Sequence, residues 1–244
     1  MSLRRGSALA VAVFAALLAA CGGTERPSTG TLSAGTRQTL AIVFLGATGA
    51  GRPAGHVGHH FGAAPDHRLA EDQQAIFDAQ LSAARGAAPR FSTIQKAAAL
   101  GYVRASVPSP GIGTHWVLWS QIAKPFDPTH PAMLLFDEKR HPAVLVGYSY
   151  ALQSPTLPEG FAGDNDQWHQ HAGLCVDPIS GWMIREGAAS PDACSGTYIA
   201  GGDFWMLHAW VVPGWDNRQG RFAVFNPKLC PPAAGTPDIM RCPT

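Results

Sequence analysis

Ten histidines are spread through this 244-residue chain, and four of them stand where imidazole could act on a shared target. Trp168-His169-Gln170-His171 places two imidazoles two residues apart. On a β-strand, residues i and i+2 share a face, so both rings reach the same point. His115 lies in Gly113-Thr114-His115-Trp116 and His208 in Met206-Leu207-His208-Ala209-Trp210, both apolar, aromatic stretches with the look of strands. A buried imidazole left without a partner costs on the order of 1–3 kcal/mol. A shared ion would satisfy several at once, and neutral imidazole suits Zn²⁺, Cu²⁺, Ni²⁺ or Fe²⁺. Glu159, Asp164 and Asp166 are the nearby acids that could add an oxygen ligand or serve as a general base on bound water. The competing reading has each histidine hydrogen-bonded to backbone or carboxylate inside a polar core.

A second histidine group, His56, His59, His60 and His67, lies in and after a Gly-rich tract. Such a tract binds metal loosely at best, because a loop loses ordering entropy on ligation. The remaining chemistry is marked by what is missing. The sequence has no G-x-S-x-G elbow, no P-loop and no H-E-x-x-H. Gly111-Ile112-Gly113 reads as a turn. Eighteen basic and 17 acidic residues nearly cancel, and no basic stripe points to nucleic acid.

The N-terminus reads as targeting sequence. Arg4 and Arg5 precede an apolar run from Ser7 to Ala20 that ends in Leu18-Ala19-Ala20-Cys21. That run has the length of a signal-peptide h-region, residues 1–20. Small residues before a cysteine resemble the bacterial lipobox. The resemblance implies lipid on Cys21, and residues 21–38, rich in Gly, Ser and Thr, then form a flexible tether. Lipid becomes the expected contact with the membrane, since no later segment has the length and apolarity of a span. The expected location is the cell envelope, on the outer face of the inner membrane or on the outer membrane.

Four cysteines remain: Cys175, Cys194, Cys230 and Cys242. An even number in an exported chain favours two disulfides. Sequence order suggests Cys175–Cys194 and Cys230–Cys242, one of three possible pairings. Their spacings do not resemble C-x₂-C zinc knuckles. Oxidised cysteines leave any metal to histidine.

The elements that must position the histidines occupy residues 39–244, read as a single α+β domain. Thr39 to Leu45 is a short apolar run and 46–65 a Gly-rich loop. Asp66 to Arg85 carries Leu69, Ile76, Phe77 and Leu81 near helical spacing and is stopped by Gly86 and Pro89. A second helix is expected from Thr93 to Leu100, with Ser92 as N-cap and Gly101 as stop. Strands are expected over 114–120, 132–136 and 143–150, the last two joined by a polar turn, and in a pair over 207–212 and 221–225. The resulting architecture is two N-terminal helices packed on a mainly antiparallel sheet or partly closed barrel.

The order of short motifs resembles the oil-body-associated protein family and related bacterial domains. The matching pieces are His115-Trp116, Leu135-Phe136-Asp137, Leu145-Val146-Gly147-Tyr148, Trp168-His169-Gln170-His171 and His208-Ala209-Trp210, within about residues 113–212. The family tends to have a His pair where this chain has Thr114-His115, and neither the cysteines nor the lipobox belongs to its pattern. It has no settled biochemistry, so the resemblance implies only that the four histidines share a pocket. Three functions follow: a metal-binding surface lipoprotein, a metal-dependent enzyme such as a cupin-like oxygenase or a hydrolase, or a structural domain without metal.

Overall fold

A computed structural model describes residues 65–171, 173–200 and 204–230. Cys21, the expected signal peptide and tether, the 39–45 run, His56, His59, His60 and Cys242 lie outside the described residues.

Among the described residues, nine strands form two antiparallel sheets. The larger runs β1 (Val103–Arg104), β2 (Thr114–Val117), β3 (Met133–Asp137), β4 (Val144–Gln153), β9 (Phe204–Ala209), β5 (His169–Gln170), in that spatial order. The smaller places β6 (Leu174–Val176) between β7 (Met183–Arg185) and β8 (Thr197–Ile199). Antiparallel β-structure with helix on one side bears out the α+β class. No closed barrel is formed among the described residues.

Among the described residues one long helix, α1 (Glu71–Ala87), precedes the sheets, followed by the six-residue α2 (Ile94–Ala99). Phe77, Leu81 and Ala84 form the buried stripe of α1, and Glu71 and Asp72 sit at the electropositive first turn. The helix starts five residues later than expected because the preceding backbone is engaged elsewhere. The Asn165 side chain accepts from His67 N and donates to His67 O, both at 2.9 Å. Asp66 pairs with Arg221 at 3.0 Å. Gly86 does not end α1, which runs on to Ala87 before a 3₁₀ turn containing Pro89. The cap of α2 is Thr93, whose hydroxyl accepts from Lys96 N, whereas the Ser92 hydroxyl donates to Pro89 O. Gly101 takes the expected positive φ of 93° just past that helix.

The larger sheet is the middle layer. Alternation sends Leu134, Tyr148, Tyr150 and Leu207 into the core that also holds Phe77, Leu81 and Phe91. The Tyr148 hydroxyl donates to Ala84 O at 3.2 Å, tying sheet to helix. The opposite face contributes Val117, Met133, Ala151, Phe204 and Met206 to a second core, closed by Leu174, Val176 and Ile199 of the smaller sheet. The expected strand at 221–225 does not form. Its carbonyls at Ala223, Val224 and Phe225 accept from Trp210 Nε1, His208 Nδ1 and Asn217 Nδ2, which leaves them no ladder to build.

Candidate metal centre

The four predicted histidines come together between the two sheets. His115, His169, His171 and His208 are all buried, at 0–7% exposure. Ring centres lie 5.7 Å apart for His115–His208, 5.5 Å for His169–His208 and 5.1 Å for His169–His171. β2 and β9 are separated by two strands in the sheet. At ~4.8 Å per strand, a flat sheet would hold their backbones about 14 Å apart. The 5.7 Å ring contact therefore requires the sheet to curl around this interior. His169 and His171 join from the last strand and the residue after it, as the i, i+2 spacing anticipates.

Each Nδ1 has an acceptor in the surrounding wall. His208 Nδ1 donates to Val224 O at 2.8 Å and His169 Nδ1 to Gln167 O at 3.3 Å. His171 Nδ1 pairs directly with the Glu186 carboxylate. His115 Nδ1 meets Ser106 Oγ at 3.3 Å. The Ser106 hydroxyl spends its single proton on Val107 O and its oxygen also accepts from His115 N, so His115 Nδ1 is the donor here as well. Hydrogen-bond bookkeeping thus puts a proton on Nδ1 of all four rings. All four Nε2 atoms are shielded from solvent, and His115 Nε2 has no hydrogen-bond partner.

Electrostatics favour the neutral form of His115 and His169. Burial pushes His115 down to about 4, assisted by the charge of His171. Burial, again with His171, pushes His169 down to about 3. Glu186 is held below the usual carboxylate range, chiefly by its hydrogen bond to His171.

An ion held tetrahedrally at 2.0–2.1 Å from Nε2 atoms would set neighbouring ring centres about 5 Å apart. The three contacts are close to that spacing but run as an arc, His115–His208–His169–His171. Among the described residues no group of three or more His, Cys, Asp or Glu side chains stands in a finished ion-holding arrangement. The rings are gathered, each with its Nδ1 turned to the wall.

Comparison with protein-family models, curated proteins and solved structures finds no match to this chain.

The acids singled out from the sequence are engaged elsewhere. Asp166 accepts from Trp168 Nε1 at 3.0 Å and Phe161 N at 3.1 Å, and burial pushes it up to about 6. Asp164 pairs with His67 at 2.8 Å, which takes His67 away from the buried cluster. Glu159 lines a separate surface cavity with Lys124 and Gln153. The acid that reaches the histidines is Glu186, just past β7. No spacing marks it, because the contact depends on the small sheet folding back over β5.

Cys175 and Cys194 form the expected disulfide, which joins β6 to the turn before β8. Cys230 is also disulfide-bonded, and its expected mate, Cys242, lies outside the described residues. Among the described residues no helix is long and apolar enough to cross a membrane.

Proposed function

We propose that this protein binds a divalent transition metal, Zn²⁺, Cu²⁺, Ni²⁺ or Fe²⁺, through His115, His169, His171 and His208. The carrying observation is that all four rings donate from Nδ1 to the surrounding wall. Metal-ligating histidines almost always donate their other N–H to a carboxylate, carbonyl or similar acceptor, which fixes the ring and raises its basicity. Here all four do so, to Val224 O, Gln167 O, Glu186 and Ser106. The motif order shared with the oil-body-associated family supports the same grouping.

The second part of the proposal is location. The lipobox-like Leu18-Ala19-Ala20-Cys21 and the disulfide-bonded cysteines support an exported protein held to the cell envelope by lipid on Cys21. With Glu159, Asp164 and Asp166 engaged elsewhere, we favour metal binding over a metal-dependent oxygenase or hydrolase.

Elemental analysis of untagged protein tests the first part. About one metal per chain is expected, with loss in His169→Ala and in His171→Ala. Unchanged content in both variants refutes it. For the second part, Cys21→Ala is expected to leave the membrane fraction and to stop incorporating labelled palmitate. Persistence of both properties in that variant refutes it.

A further inference from the structure

The surface cavity that holds Glu159 has the size and the lining of a ligand site. It measures about 530 Å³, and small-molecule sites span about 300–1,000 Å³. Pro125, Phe126, Leu152 and Pro158 supply its apolar lining. The Phe126 ring is held by Tyr150 and Phe161, with ring centres 4.9 and 5.0 Å away. The segments around the cavity are tied down. Gln153 N donates to Ile122 O at 3.4 Å, which fixes the chain leading to Phe126 against the end of β4. Phe161 N donates to Asp166 Oδ2 at 3.1 Å, and Ala162 N to Gln80 Oε1 of α1 at 2.7 Å. Walls set before a ligand arrives spare it the cost of ordering them.

Lys124 and Glu159 line this same cavity, and both are exposed. Among the described residues neither takes part in an ion pair. A simple anion would be drawn by Lys124 and repelled by Glu159, and a simple cation the reverse. A ligand that carries both charges on an apolar body is opposed by neither. Gln80 adds an amide: its Oε1 is taken by Ala162 N, which leaves Nε2 to donate. We infer that this cavity binds a short peptide with free ends, two or three residues long and with an apolar side chain. Lys124 receives the peptide carboxylate and Glu159 its ammonium group. Gln80 Nε2 donates to a peptide carbonyl, and Phe126 and Leu152 cover the side chain. No residue of the cavity belongs to the histidine cluster, so the inference stands apart from the proposed metal site.

Equilibrium dialysis of the full chain against radiolabelled leucyl-phenylalanine tests this. Saturable binding with a Kd below about 1 mM is expected. Lys124→Gln and Glu159→Gln should each weaken it about threefold to fivefold, the scale of an exposed charge contact. Lys139→Gln makes the same charge change as Lys124→Gln on the exposed turn after β3, and should bind as wild type does. The N-acetylated peptide should bind wild type more weakly by the same factor, with no further loss in Glu159→Gln. The C-amidated peptide should behave in the same way toward Lys124→Gln. The capped peptides probe both contacts in the wild-type protein, so the test holds even where a variant fails to fold. Absence of saturable binding, equal affinity of free and doubly capped peptide, or as large a loss in Lys139→Gln as in Lys124→Gln would overturn the inference.

Discussion

Lowering the pH from 7 to 5 in the presence of a chelator should destabilise the fold by about 3 kcal/mol. His115 is held down to about 4 and His169 to about 3, against 6.5 in an unconstrained chain. At pH 5 the unfolded chain protonates both rings while the folded chain protonates neither to a large extent. A base whose folded pKa is depressed contributes stability that is present above its unfolded pKa and is lost as pH falls below it. With 1.36 kcal/mol per unit, each ring loses about 2 kcal/mol over this interval, or about 4 together. Asp166 acts in the opposite sense. Its folded value is raised to about 6 from 3.8, so the folded state takes up the proton first and regains about 1 kcal/mol once partial exposure is discounted. Glu186, held low by His171, loses its contribution only below pH 4.5, outside the interval. Urea melts at the two pH values measure the difference. Equal stability at pH 5 and 7, or greater stability at pH 5, would refute the neutral, buried state of His115 and His169. In Asp166→Asn, which can still accept from Trp168 and Phe161, the loss should grow to about 4 kcal/mol.

Three further outcomes are expected. Glu186→Ala removes the acceptor that orients His171 and should weaken metal affinity about 10–100-fold, by competition with a chromogenic chelator, while the metal-free fold loses about 1–3 kcal/mol in a urea melt because a buried ring loses its acceptor. In Gly160→Ala the new methyl would collide with Asp166 Oδ2 and come 2.7 Å from Trp168 Nε1. A loss of about 1–3 kcal/mol is expected, with weaker metal binding because Trp168 adjoins His169; a wild-type urea midpoint would contradict the packing described. Replacing Cys175 and Cys194 with alanine opens a loop of sequence separation 19. The expected loss is about 3 kcal/mol on the chain-entropy account, and a melt within 1 kcal/mol of wild type would show that the unfolded chain is already compact there.

The histidine cluster was legible because its signal is local. His169 and His171 carry their own geometry in an i, i+2 spacing, and His115 and His208 sit in aromatic strands whose alternation turns them inward. The central sheet was legible for the same reason, through the apolar runs of β3 and β4. The smaller sheet was not. Its strands are three residues each, shorter than any pattern that distinguishes strand from loop, and they are defined by pairing with one another. Glu186 was missed with them. The 221–225 segment failed in the other direction: Phe222, Val224 and Phe225 alternate well enough for a strand, but its carbonyls are committed to side chains from β9 and the following turn. The start of α1 was misplaced because periodicity does not reveal that Asn165, 98 residues away, holds both backbone groups of His67.

The curl that brings β2 against β9 has a consequence in time. His169 and His171 are neighbours in any extended segment of the chain, so that pair can meet an ion before anything else has folded. His115 and His208 are 93 residues apart in sequence and reach each other only after β3 and β4 have paired and bent. Loop closure of that length opposes early contact. On the proposed metal site, metal added during refolding should be captured first by the local pair, loosely, and handed to the full set when the sheet closes. The ion's arrival at its final coordination would then mark the last step of assembly rather than its nucleus.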